Sequence, residues 1–186
     1  IAWVVTEDSE GKLNAAPFSF FNVMGSEPPV LAFAIQGQDA KRFKDTASNI
    51  FDTGEFVVNL VPEEMVQAMN ITAVNAPKGI NELDLASLET IPSQKVKPPR
   101  IKGSPVAFEC KMLSSVVTGP YQVMVIGRVV TTFIDDSCVL NPERAYIDTP
   151  KLNLVARSYG STYVRSQDTF ELARPTWADS QFKGKA

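Results

Sequence analysis

Ser19, Phe20, Phe21 and Asn22 close the run Leu13-Asn14-Ala15-Ala16-Pro17-Phe18-Ser19-Phe20-Phe21-Asn22. Two hydrogen-bonding side chains there flank two aromatic rings. That combination can grip a flat polar ring, the aromatics stacking while Ser19 and Asn22 fix its edges. A core strand ending in a turn is the other reading of the same residues. A second group follows at Lys44-Asp45-Thr46 with Asn49. Lys44 brings positive charge, Thr46 a hydroxyl, and a helix starting there would aim its first N–H groups outward, all suited to an anion such as a phosphate. The plainer alternative is a helix capped by Asp45, with a solvated Lys44 and Asn49. In that position the Asp45 carboxylate would compete with an anion for the same donors. The apolar run Val30–Ile35 lies between the two groups. The three pieces together could surround a flat, phosphorylated ring compound.

Much other chemistry is excluded. The chain has no His, which removes Ser-His-Asp and Cys-His catalysis and His-bearing zinc sites. Cys110 and Cys138 are too few for a Cys-rich metal site and lack redox spacing, so both are expected to be packed inside. No metal site is expected. Neither G-x-G-x-x-G nor G-x-x-x-x-G-K-[ST] occurs, so Rossmann and P-loop nucleotide sites lack support. Glu63-Glu64 reads as a solvated helix start. Asp135-Asp136 reads as a hairpin tip whose neighbouring carboxylates point apart.

The 186 residues suit one domain, 1–186, large enough for a substantial core. Lys and Arg number 18 against 21 Asp and Glu, a formal charge of −3, which disfavours general nucleic-acid binding. No apolar run approaches the roughly 20 residues that span a bilayer. Ile1 stands inside a strand pattern, so the natural N-terminal segment is expected to lie upstream.

The elements that must position these groups are mostly short strands. Trp3–Thr6 and Leu13–Phe18 read as a hairpin around Asp8-Ser9-Glu10-Gly11. Glu27-Pro28-Pro29 breaks structure, and Val30–Ile35 reads as a buried strand. Asp45 is expected to cap a helix from Thr46 to about Thr53, closed by Gly54 in the left-handed conformation. Glu55–Val61 is the next strand, and Pro62-Glu63-Glu64 starts a helix with Val66 and Met69-Asn70-Ile71 on its inner side. Residues 74–105 are punctuated by prolines, with a helical stretch expected around Glu82–Leu88. Val106–Leu113, Val123–Val130 and Thr131–Ile134 read as strands, with Thr118-Gly119-Pro120 a turn. Strand signals fade after Pro142, and the tail after Trp177 reads as frayed. The pattern is mostly β with a few short helices, and it favours an antiparallel barrel.

At these residues the chain resembles the flavin reductase-like, FMN-binding split barrels, in the branch that includes flavoredoxin. The likeness is carried by Ala2-Trp3-Val4, the Asn14–Asn22 run, Pro28-Pro29, Lys44-Asp45-Thr46 with Asn49-Ile50, and Gly54–Leu60. It continues through Ser104-Pro105-Val106, Phe108-Glu109-Cys110, Val125–Val130, Asp135-Asp136, Val155-Ala156-Arg157, and Phe170-Glu171-Leu172 with Arg174-Pro175. The resemblance implies a split antiparallel β-barrel that forms a homodimer with FMN near the interface. It implies a cytoplasmic NAD(P)H-dependent flavin oxidoreductase serving a small-molecule or protein electron acceptor, without nucleic acid or membrane. By this likeness Ser19, Phe20 and Asn22 would face the flavin ring or ribityl chain, and Lys44, Thr46 and Asn49 would serve its phosphate. The flavin carries the hydride chemistry, so no catalytic side chain is expected, in keeping with the missing His.

Two positions depart from the family pattern. Phe133 stands where members often carry His, and Ser158-Tyr159-Gly160 stands where they tend to show Leu-Gly-Gly. Both bear on the approach of the second substrate, where Arg157, Tyr159 and Tyr163 are candidates or simply make structural hydrogen bonds. The alternatives to a reductase are a flavoredoxin-like electron carrier without its own nicotinamide site, and a non-enzymatic split-barrel ligand-binding protein.

Overall fold

The chain is described by a computed structural model over residues 1–37, 43–77 and 79–177. The expected frayed tail after Trp177 lies outside the described residues. The elements in chain order are β1 (Ala2–Glu7), β2 (Leu13–Phe18), β3 (Phe21–Ser26), β4 (Pro29–Gln36), α1 (Asp45–Thr53), β5 (Glu55–Asn59), α2 (Val66–Ile71) and α3 (Glu82–Leu85). They continue with β6 (Thr90–Ile91), β7 (Arg100–Ile101), β8 (Val106–Gly119), β9 (Gln122–Ile134), β10 (Val139–Asn141), β11 (Tyr146–Ile147), β12 (Val155–Arg157) and β13 (Tyr163–Arg165). Seven strands form one antiparallel sheet in the order β2-β1-β5-β8-β9-β4-β3. It curls until Phe18 of β2 meets Phe33 of β4, their rings 5.4 Å apart, leaving a barrel split between the edge strands β2 and β3.

Alternation builds the core. Phe18, Leu31, Phe33, Ile35, Phe56 and Val125 fill the barrel interior, and Ala47 and Ile50 of α1 plug it from one side. The opposite face of β1 presents Trp3 and Val5 to Met69, Leu83, Ile101 and Val155. Strand β1 is therefore covered on both faces, which explains its continuous apolar run. The first hairpin turns on Asp8, whose carboxylate accepts the backbone N–H groups of Glu10 (2.8 Å) and Lys12 (2.9 Å). Gly54, at φ 71°, ends α1 with its N–H on the Ile50 carbonyl.

Several expectations need correction. Asp45 is the first helical residue rather than the cap. Lys44 is the N-cap, in extended conformation, and its own side chain makes no capping hydrogen bond. Asn70 and Ile71 face solvent, leaving Met69 as the buried residue of α2. The helix at Glu82 stops at Leu85, and Ser87 turns at φ 52°. Phe21–Ser26 is a strand of its own. Strands β8 and β9 run unbroken as one long hairpin through β-bulges. Beyond Pro142 two further short hairpins close with β11 and β12–β13. Asp135 caps a short helical turn by accepting the Ser137 N–H at 2.8 Å.

Candidate functional site

Two buried hydrogen bonds fasten α1 to the first hairpin. Asn14 donates from Nδ2 to Thr46 Oγ1 (2.9 Å), and Asn49 donates from Nδ2 to Thr6 Oγ1 (3.0 Å). Thr46 and Asn49 are both buried, at 1% and 8% exposure, so their side chains point into the strands. Lys44 is half-buried at the helix start. Among the described residues no side chain is seen capping the first turn of α1, and Lys44 lines the cavity at that positive end, an arrangement suited to an anion. Asp45 is the first helical residue rather than the cap, so its carboxylate stays in the first turn and lines the same cavities as Lys44 and Asn49.

A cavity of about 380 Å³ opens beside this helix start, lined among others by Asn14, Ala16, Pro17, Lys44, Asp45 and Glu82. A second, of about 250 Å³, shares Asn14 and Asp45 and adds Lys12 and Asn49. Thr72 starts the loop that forms the far wall. Its hydroxyl accepts Trp3 Nε1–H at 2.9 Å and donates to the Met69 carbonyl at 2.8 Å, which fixes that wall to the core. Glu82 Oε2 accepts the Ala15 N–H at 3.1 Å, satisfying a donor on the free edge of β2. Burial holds the Glu82 carboxyl above the ordinary glutamate range, the Ala15 N–H opposes this, and the charge of Asp45 adds to it.

Ser19 and Phe20 lie at the other end of β2, in the tight connection to β3. Phe18 points into the core and Phe21 packs partly against it, while Phe20 is 61% exposed. The Phe20 carbonyl accepts the Ala34 N–H at 2.9 Å, holding the connection against β4. Asn22 is exposed, its Oδ1 accepting the Val23 N–H at 2.9 Å. The two groups are thus strung along one strand, with Asn14, Ala16 and Pro17 between them. Five residues of strand set Ser19 about 17 Å from Asn14. The structure gathers Lys44, Thr46 and Asn49 around one helix turn and keeps Ser19, Phe20 and Asn22 outside that cavity, on the open surface.

Arg157, Tyr159 and Tyr163 belong to the hairpin β12–β13. Arg157 Nη1 donates to the Tyr163 hydroxyl at 3.2 Å, and its guanidinium lies 5.2 Å from the Tyr163 ring centre. Tyr159 stands at the tip, 85% exposed. None of the three lines the two cavities. Phe133 is half-buried beneath the Arg100 guanidinium, 3.7 Å from its ring centre. Sequence reasoning passed over Asn14, Thr72 and Glu82. For Asn14 a signal existed, a lone polar side chain alternating with the small Ala16 on one face of β2. Glu82 carried none, since its partner Ala15 lies 67 residues away.

Residues 1–149 match the flavin reductase like domain. An uncharacterised protein of Deinococcus radiodurans is 39% identical over 191 residues, covering 100% of this chain and 84% of that protein. Nitrilotriacetate monooxygenase component B from Bacillus cereus superposes with a TM-score of 0.86 at 32% identity, over 92% of this chain and 85% of the other. The 2-nitrobenzoate 2-nitroreductase NbaA of Pseudomonas fluorescens superposes with a TM-score of 0.85 at 30% identity, over 97% and 86%. Among the described residues no helix is long and apolar enough to cross a membrane.

Proposed function

The chain belongs to the flavin reductase-like family, and from that premise we propose that it is an FMN-dependent oxidoreductase reduced by NAD(P)H. The observation that carries the reading is the start of α1 at Lys44, which lines a cavity of ligand-binding size. An elongated phosphorylated ligand fits along β2, its anionic end at α1 and its ring toward Ser19 and Phe20. Lys44 and the first-turn N–H groups would neutralise the phosphate. Thr46 and Asn49 hold that helix turn against β1 and β2, and Thr46 keeps a hydroxyl proton to donate. Ser19 and Asn22 would hydrogen-bond the ring edges, and Phe20 would cover a ring face. Bound FMN supplies the acceptor for a hydride, so the protein's part is to hold two rings within reacting distance and to exclude water.

A second copy of the chain belongs to this reading. Val23, Met24, Val116 and Val117 of β3 and β8 are 44–62% exposed, an apolar surface that a homodimer would cover beside the open ring site. Arg157, Tyr159 and Tyr163 are proposed on the donor side, with Tyr159 free to fold over an incoming substrate. The proposed setting is cytoplasmic, and the electron acceptor is a small molecule or a protein.

The test is an absorbance spectrum of the protein loaded with FMN, recorded without oxygen before and after NADH or NADPH. A bound-flavin spectrum bleached by either donor is expected. Bound flavin that neither donor bleaches would make the protein an electron carrier fed by a protein partner. A chain that refuses FMN would end the flavin reading.

A further inference from the structure

Gln167 Nε2 donates to Asn153 Oδ1 at 2.9 Å, and an arm of ten described residues follows it. Residues 168–177 form no helix or strand and are all exposed. Phe170 is 86% exposed and Leu172 85%, about the least favourable placement for two large apolar side chains. This arm lies outside the residues matched by the family domain. Drawn out as an extended chain, Asp168, Phe170 and Leu172 would share one side, an acid followed by two apolar groups.

A complementary row stands on β9. Val123, Val125 and Gly127 point into the core, so Met124, Ile126 and Arg128 share the outer face. Their β4 partners there are Ala34, Ala32 and Val30 in register, and Ser114 and Val116 of β8 flank the other side. Arg128 is exposed, and among the described residues it has no carboxylate partner. Read outward from the charge, the face runs cation, apolar, apolar at the two-residue spacing of the arm. The signs oppose and the apolar groups match.

We propose that the arm of one copy lies extended across the outer face of β9 in a second copy, Asp168 meeting Arg128 while Phe170 and Leu172 cover Ile126 and Met124. In a two-fold dimer the exchange is reciprocal, so one symmetry operation buries both arms and both faces. The inference rests on the second copy in the proposed function and is independent of flavin. The experiment mixes full-length Asp168→Cys protein with full-length Arg128→Cys protein and oxidises mildly, Cys110 and Cys138 being buried. A disulfide-linked pair is expected at a yield several-fold above either variant alone. A mixture no better than the single variants overturns the proposal. So does a double variant that links only within one chain. In parallel, Phe170→Ser with Leu172→Ser is expected to raise the dimer dissociation constant at least tenfold by sedimentation, with the far-ultraviolet spectrum unchanged. A dimer of unaltered affinity overturns the arm and leaves the second copy standing. A wild-type protein that is monomeric at every concentration overturns both, while FMN absorbance reads the flavin assignment separately.

Discussion

At the scale of single residues, the site divides into side chains that hold the fold and side chains free to hold a ligand. Lys44 is of the second kind. Lys44→Ala is expected to weaken FMN binding about tenfold, the loss of one charge-assisted contact, while shifting stability by under about 0.5 kcal/mol. Flavin fluorescence quenching and thermal unfolding check the two halves, and an unchanged affinity would remove Lys44 from the site. Thr46 and Asn49 are of the first kind. Residue type marked them for an anion, but type does not say which way a side chain points, and both donate or accept inside the hairpin. Asn14→Ala is therefore expected to cost about 1–3 kcal/mol by leaving Thr46 without its buried partner, read by denaturant unfolding. The two thiols were legible as packing residues because nothing near them in sequence could use them. Burial and the charge of Glu109 push the Cys110 thiol far up, and Cys138 is buried in a separate apolar cluster. Neither is expected to react with a thiol reagent until the protein is unfolded, and a titration of the native protein decides it.

At the scale of elements, what was readable had regular alternation or a punctuating residue. The first hairpin, β4, β5 and the Gly54 stop of α1 all had one or the other. Strand β3 was missed because its sequence is Phe-Asn-Val-Met-Gly-Ser and five of its six residues are exposed, so no apolar row marks it. The β8–β9 hairpin was cut short because bulges near Cys110, Ser114 and Gly119 shift the alternation three times along its length. Gly127, within the Val125–Val130 stretch, owes its place to packing that no local sequence pattern shows. A Cβ on Gly127 would lie 2.4 Å from the Phe56 ring, which fills the barrel opposite it. Gly127→Ala is expected to destabilise the protein by about 1–3 kcal/mol through overpacking, checked by the denaturation midpoint. The clip between α3 and β2 gives a pH dependence. The Glu82 carboxyl titrates above its unfolded value, so its contribution to stability is full below the unfolded pKa and is lost as pH rises through the folded one. Glu82→Gln keeps an oxygen for the Ala15 N–H and removes the titration. Relative to the wild type, the variant is expected to gain stability as pH rises from the acid side of the glutamate range to neutrality. Parallel profiles for the two proteins would clear Glu82 of that role.

At the scale of the whole molecule, the proposed site is enclosed at one end and open at the other. The helix start and cavity are enclosed by β2, α1 and the wall after Thr72, whereas Ser19, Phe20 and Asn22 stand on open surface. Composition and periodicity could show neither fact, since both depend on which edges of a curled sheet remain uncovered. A ring lying over Phe20 gains a second wall only from another molecule, and the exposed apolar groups of β3 and β8 are where that molecule would sit. In the proposed pair, flavin binding and dimerisation would be linked: whatever favours the pair would favour the ligand, and the reverse by the same free energy. With FMN in excess, diluting the protein through its dimer dissociation constant is expected to raise the apparent dissociation constant for FMN. Saturating FMN is expected to make the dimer harder to dilute apart, by the same factor. Fluorescence titrations over a series of protein concentrations measure the first and sedimentation the second. If FMN affinity stays constant across the range in which dimer gives way to monomer, the ring is held by one chain alone, and Phe20 needs no wall from its neighbour.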